Sequence, residues 1–181
     1  MNTSYITRLA AVALVPVLAF GSTAAMASPG HDDAPSIGQA GDISHIDRVI
    51  QVDMGEMYFT PEAYEVERGE TVRFELVNSG RVVHEFNIGT DAMQDAHLQE
   101  MITMTKNGMI TARELRHDRM LEAGMMHVDA NARLLEPGQT DEIVWTFSGE
   151  QDELFIACNV PGHREAGMEA IVKIGADHST S

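Results

Sequence analysis

Cysteine is almost missing from this chain: Cys158 stands alone among 181 residues. No disulfide can therefore form within it, and a disulfide-stapled mini-domain is excluded. Basic residues are also scarce, with 12 Lys and Arg against 28 Asp and Glu and a formal net charge of −16. That balance keeps a protein soluble and argues against nucleic acid or anionic lipid as a partner. Long apolar runs are lacking too. The only sustained one, Leu9 to Phe20, is interrupted by Pro16 and is too short to cross a bilayer comfortably, so no membrane anchor is expected.

That run has the features of an export signal. Arg8 precedes it, small residues follow it, and Ala25-Met26-Ala27 fits the small-x-small cleavage pattern. Residues 1–27 are expected to be a signal peptide cleaved after Ala27, which places the rest of the chain in the periplasm. No cysteine lies nearby to carry a lipid, and there is no Arg-Arg pair, so export as an unfolded chain is expected. Any metal would then be acquired after export. An unprotected thiol is a liability in an oxidising compartment. Either Cys158 is a buried passenger or something occupies its sulfur.

Residues 28–44 are rich in Gly, Pro, Ser and Asp without an apolar period and read as a flexible leader outside the core. A single domain is expected over 45–181. Val72, Phe74 and Leu76 alternate with polar residues after the Arg68-Gly69-Glu70 turn, as in a half-buried strand. Further strands are expected near 46–52, 64–67, 82–88, 143–147, 153–158 and 169–174. Residues 90–135 break this pattern. Asp91 to Lys106 has helical spacing and stops at Asn107-Gly108, and Thr111-Ala-Arg-Glu114 reads as a capping box for a second helix ending near Gly124. The expected fold is all-β, an antiparallel sandwich carrying a helical insertion at 90–135.

The chemistry concentrates in Cys158-Asn-Val-Pro-Gly-His163-Arg-Glu-Ala-Gly-Met168. A thiolate, an imidazole and a thioether fall on one loop between two strands, and His84 supplies a second imidazole from an earlier strand. Two His nitrogens and a Cys sulfur in a plane, with a weak axial Met, form the ligand set of electron-transfer copper sites. Pro161-Gly162 supplies a tight turn and Gly167 the bend that aims Met168 inward. Zinc also accepts Cys and two His, but Met is a poor zinc ligand. Copper is therefore the expected metal, cycling between Cu(I) and Cu(II).

The segment Cys158–Met168, with Asn78-Ser-Gly80 and His84-Glu-Phe86 upstream, resembles the plastocyanin/azurin family of cupredoxins. Its C-x4-H-x4-M loop is similar to the rusticyanin and auracyanin pattern. The resemblance covers 46–90 and 136–175 and implies a Greek-key β-barrel that transfers one electron. It also implies that His84, Cys158 and His163 are equatorial ligands and Met168 the axial one, with His163 as the electron port. Two positions depart from the pattern. Glu85 stands where many relatives have Asn or Ser, and Val83 where azurins have Gly.

Methionine crowds the insertion: Met93, Met101, Met104, Met109, Met120, Met125 and Met126. Met93, His97, Met101 and Met104 form one stripe on the first expected helix. His117, Met120, Leu121 and Gly124 share a face of the second, with Met125-Met126-His127 at its exit. Thioethers beside imidazoles suit Cu(I), so Met93, His97, Met101, Met104, His117, Met120, Met125, Met126 and His127 are candidate additional copper ligands. The same stripe is equally what a helix packed on a barrel would show. Signal peptide, acidic domain and Met/His-rich insertion together resemble the periplasmic copper-resistance cupredoxins of the CopI type. That resemblance implies copper resistance and homeostasis, with copper ions as partners. Two other readings stay open: a simple one-electron carrier serving a redox protein partner, and an oxidase converting Cu(I) to Cu(II).

Overall fold

A computed structural model of the protein describes residues 34–126 and 129–177. The expected signal peptide and His127 lie outside those residues. The strands form two five-stranded sheets. One sheet is ordered β1 (Gln39–Ala40), β8 (Thr140–Thr146), β5 (Thr71–Asn78), β2 (Arg48–Gly55) and β3 (Tyr58–Thr60). The other is ordered β4 (Ala63–Arg68), β10 (Glu169–Asp177), β9 (Glu153–Ala157), β6 (His84–Gly89) and β7 (Ala132–Leu135). Three helices accompany them: α1 (Ala34–Ile37), α2 (Asp91–Lys106) and α3 (His117–Glu122).

The sandwich closes over the alternating apolar residues. Val72, Phe74 and Leu76 of β5 are buried, as their period of two requires. The Phe74 ring lies 5.2 Å from that of Phe86 on β6 and packs edge-on to Tyr64 and Phe147. This aromatic cluster joins the sheets. Each sheet also contains one parallel pair, β2 with β5 and β4 with β10. The expectation of a purely antiparallel sandwich is corrected here. Alternation reports which face a residue occupies and says nothing about the direction of the neighbouring strand.

The helical insertion is present, with two changes. α2 occupies the expected span: Thr90 caps it by accepting a hydrogen bond from the Met93 amide at 3.3 Å, and it ends before Gly108 at φ +66°. The capping box at Thr111 does not start a helix. Thr111 Oγ1 accepts from the Arg113 and Glu114 amides, but Ile110 bridges Leu115 and the chain turns back on itself. The Leu115 amide donates to Glu136 at 2.7 Å, so tertiary hydrogen bonds outcompete the local helical signal. α3 begins only at His117, and Leu121 faces solvent rather than sharing the buried side of Met120. β7, in the last residues of the expected insertion, pairs with β6.

The leader is also shorter than expected. Ile37 is fully buried, its carbonyl accepts the Trp145 indole N–H at 3.2 Å, and Gln39–Ala40 pair with β8. Gly38 takes φ +119°, with the Trp145 ring and the Thr146 carbonyl where a Cβ would lie. One apolar residue among polar ones carries no period, which is why the composition of 28–44 concealed this anchor. Ile37→Ala is expected to destabilise the protein by about 2–5 kcal/mol in urea denaturation. A freely moving leader would show no change.

Candidate metal centre

The second sheet places both ends of the site. β6 begins at His84, and β9 ends at Ala157, one residue before Cys158. These strands are antiparallel neighbours, so their ends bring His84 beside the loop of 158–168. That loop is closed by its own backbone: the Cys158 amide donates to the Met168 carbonyl at 3.2 Å and the Met168 amide to the His163 carbonyl at 3.0 Å. Gly162 and Gly167 adopt φ +90° and +100°, the left-handed turns the loop needs.

The ligating atoms of His84, Cys158 and His163 lie within 4.8 Å of one another. Cys158 Sγ is 3.3 Å from His163 Nδ1, and the two imidazole rings are 5.1 Å apart. Cys158, His84 and the Met168 side chain are fully buried, while His163 is partly exposed. Burial pushes the Cys158 thiol up to about 12 and, with His163 nearby, drops His84 to about 4. His84 is thus a neutral imidazole at pH 7, with a lone pair to give. Neither of its ring nitrogens has a hydrogen-bond partner, and the Glu56 carboxylate stands off at 3.8 Å. A buried polar group left this way costs about 1–3 kcal/mol, and a bound metal ion would remove that cost. The residues fit copper.

The loop before His84 is equally constrained. Asn78 donates to the Val82 and Leu135 carbonyls, both at 2.9 Å, and accepts from the Gly80 amide at 3.0 Å. A Cβ on Gly80 would come within 2.9 Å of His84 Nε2, so only glycine lets the backbone pass this close to the site.

Glu85, the departure noted in the sequence, faces away from His84 into a buried polar network. Its Oε2 accepts from the Asn159 amide and side chain at 3.1 and 2.9 Å, and its Oε1 meets His97 Nε2 at 2.8 Å. Its backbone amide donates to Cys158 Sγ at 3.3 Å. Gln94 is fully buried, accepting from Asn159 at 2.7 Å and donating to the Asn87 carbonyl at 3.0 Å. Outside this network, Arg164 of the copper loop pairs with Asp91, with Asp95 at 2.9 Å and with Glu169 at 2.5 Å. α2 is therefore fastened to the copper loop from within and from without. Sequence reasoning missed Gln94, Asn159 and Arg164. The available signal was Asp91 and Asp95 one helical turn apart, but their partner is distant in sequence.

The remaining candidates are distributed unevenly. His97, Met101, Met104, His117, Met120, Met125 and Met126 all line one cavity of about 150 Å3 between α2, α3 and the sheet. Met93 is buried against the barrel but does not reach that cavity. Both nitrogens of His97 face carboxylates, Glu85 at 2.8 Å and Glu100 at 3.2 Å.

Comparison with known proteins agrees with this geometry. A two-sheet sandwich whose strand ends bring two His and a Cys together defines a cupredoxin. Auracyanin B has the same fold, with a TM-score of 0.56 at 15% identity over 76% of this chain and 96% of its own. Residues 46–175 match the copper binding proteins of the plastocyanin/azurin family. The chain belongs to that family, and copper is its cofactor. It is similar to the copper-resistant cuproprotein CopI of Pseudomonas aeruginosa, 40% identical over 89% of this chain and 93% of that one. CopI of Rubrivivax gelatinosus is 37% identical, with 89% and 94% covered. Among the described residues no helix is long and apolar enough to cross a membrane.

The Glu85–His97 pair sets a pH dependence. Burial alone would lower His97, but Glu85 and Glu100 outweigh it and raise the imidazole to about 9. Burial opposes ionisation of Glu85, yet His97 and Asn159 hold it below the ordinary carboxylate value. The His97 contribution is complete below its unfolded pKa of 6.5 and is lost as pH rises through about 9. The Glu85 contribution is present above its unfolded pKa of 4.5 and is lost on acidification. Urea midpoints of the metal-free protein are expected to fall between pH 7 and 10 by on the order of 3 kcal/mol in stability, and His97→Gln should flatten that limb.

Proposed function

We propose that the protein is a periplasmic type 1 copper protein of copper resistance and homeostasis. His84, Cys158 and His163 would ligate copper in a plane, and Met168 would supply the weak axial thioether. The observation carrying this reading is the convergence of a buried, partnerless His84 with Cys158 and His163 at one strand end. The expected signal peptide supports the location. The role in resistance is supported by the two full-length relatives, each described as a copper-resistant cuproprotein. Copper bound there would supply one-electron chemistry, and the protein's own contribution is to hold the donors fixed. Cys158 takes the Glu85 amide hydrogen bond, and Glu85 and Gln94 clamp the next residue, Asn159.

The partly exposed edge of His163 is the feature favouring the second reading, a simple carrier exchanging electrons with a redox protein. Growth separates the two. A strain lacking the gene should become copper-sensitive, be rescued by the wild type and not by Cys158→Ala. Normal copper tolerance in the deletion strain would favour the carrier. Purified Cys158→Ala should lose the intense thiolate-to-Cu(II) absorption, and survival of that band would overturn the ligand assignment. Oxidase activity has its own test: Cu(I) added to Cu(II)-loaded protein bleaches the band only where electrons pass to the centre.

A further inference from the structure

Ligation at the Cys158 centre would leave one buried polar atom unaccounted for. A neutral imidazole carries one proton, so a ring that gives one nitrogen to a metal keeps an N–H on the other. His84 is fully buried, and neither of its nitrogens has a hydrogen-bond partner. Its Nε2 is the nitrogen turned toward Gly80 and Glu56, which leaves Nδ1 for an ion. His163 likewise meets Cys158 Sγ through Nδ1, at 3.3 Å. With Nδ1 committed, the Nε2–H of His84 is a buried donor in need of an acceptor.

The fold brings Glu56 to that atom. β2 ends at Gly55 and β5 at Asn78, and the two strands run parallel with Met54 beside Asn78. The turn carrying Glu56 and the loop leading to His84 thus leave the sheet at the same end. The Ser79 and Gly80 amides donate to the Met54 carbonyl at 3.0 and 3.2 Å, which joins the two segments. Glu56 Oε1 accepts from the Arg81 amide and, at 3.2 Å, from the Val82 amide. These bonds hold the same oxygen 3.8 Å from His84 Nε2. A Cβ on Gly80 would lie 2.7 Å from this oxygen and 2.9 Å from Nε2. Glycine at 80 therefore keeps the space between carboxylate and imidazole open. The Glu56 side chain is 40% exposed, so a small rotation of a side chain free on its outer side closes the remaining gap. Glu56 also acts on the other imidazole: burial lowers His163, and Glu56, ahead of Glu165, opposes that fall.

We propose that Glu56 is a positioning residue of the copper centre, accepting the Nε2–H of metal-bound His84 and biasing the centre toward Cu(II) through its charge. The proposal rests on the reading of His84 and Cys158 as copper ligands. A ligand histidine whose far N–H meets a carboxylate is held in one orientation and becomes a stronger donor. A negative charge beside two of the ligands favours the more positive ion. The general acidity of the surface does not have this effect, since distant exposed charges are screened.

The test is Glu56→Gln in the full mature chain, with Cu(I) and Cu(II) affinities and the reduction potential measured. Cu(II) affinity should fall at least about tenfold, and Cu(I) affinity by less. A tenfold change in their ratio reads as a rise of about 59 mV in potential. Glu165→Gln, which removes the same charge from an exposed position on the copper loop, should shift the potential by much less. The urea midpoint of the metal-free protein should stay, because glutamine keeps an oxygen for the Arg81 and Val82 amides. A lower midpoint with an unchanged potential would make Glu56 a loop brace and overturn the proposal, as would equal shifts in the two variants. The hydrogen bond is read directly in the unaltered Cu(I)-loaded protein, where the His84 Nε2–H resonance should be protected from solvent exchange and should move in Glu56→Gln. An unprotected or unmoved resonance overturns the proposal even where the potential shifts. Absence of the thiolate-to-Cu(II) band from the unaltered protein would instead overturn the reading of the Cys158 centre.

Discussion

Glu85 is 1% exposed, and a carboxylate withdrawn from water must find its neutralising partners within the fold. Much of the copper end of the molecule follows from that demand. His97 of α2 supplies the charge, and Asn159 supplies two hydrogen bonds. Because Asn159 follows Cys158, whatever fixes the carboxylate also fixes the backbone beside the sulfur. Because His97 lies on α2, the carboxylate anchors the insertion. A neutral Asn or Ser at this position would have no comparable need for a cationic partner. The departure from the family pattern and the presence of a docked helix are two sides of one electrostatic requirement.

The second constraint is His84. The strand end, the Asn78 hydrogen bonds and the close pass of Gly80 hold its ring in a buried position where no protein group pairs with it. Such an arrangement stores unsatisfied hydrogen-bonding capacity in the metal-free fold. A metal ion bound here would act on stability as well as function, since it would satisfy His84 and draw the proton from a thiol that burial keeps protonated. The copper loop tolerates this because Arg164 and the backbone bonds between Cys158, His163 and Met168 carry its shape independently of any ion.

Local, repeated signals were legible in the sequence. Val72, Phe74 and Leu76 announced their strand through alternation, and α2 announced itself through its spacing and its stop at Asn107-Gly108. The Cys158–Met168 spacing pointed to one loop, which the fold brings to His84. What escaped were features decided between distant segments. The Thr111 capping box lost to the Leu115–Glu136 hydrogen bond and the bridge between Ile110 and Leu115. Ile37 looked like part of a polar leader because a single anchoring residue has no period. The parallel pairing of β2 with β5 left no mark on either strand. Glu85 was visible as an anomaly, but its partners His97 and Asn159 lie on other elements, and only the folded topology brings them together.

The same topology lets one helix serve two surroundings. α2 presents its inner face to both. Near its start, Gln94 and His97 complete the polar network behind the loop of 158–168. One to two turns on, Met101 and Met104 line a hollow shared with Met120 and Met125. The place of α2 on the barrel is fixed by the charge pair of Glu85 and His97, so the seam beyond it must accept whatever shape that docking leaves. Unbranched methionine, with three rotatable bonds, adapts to such an irregular seam beside Leu115 and Leu134 better than leucine would. The electrostatic demand thus comes first, and the pliable side chains follow it.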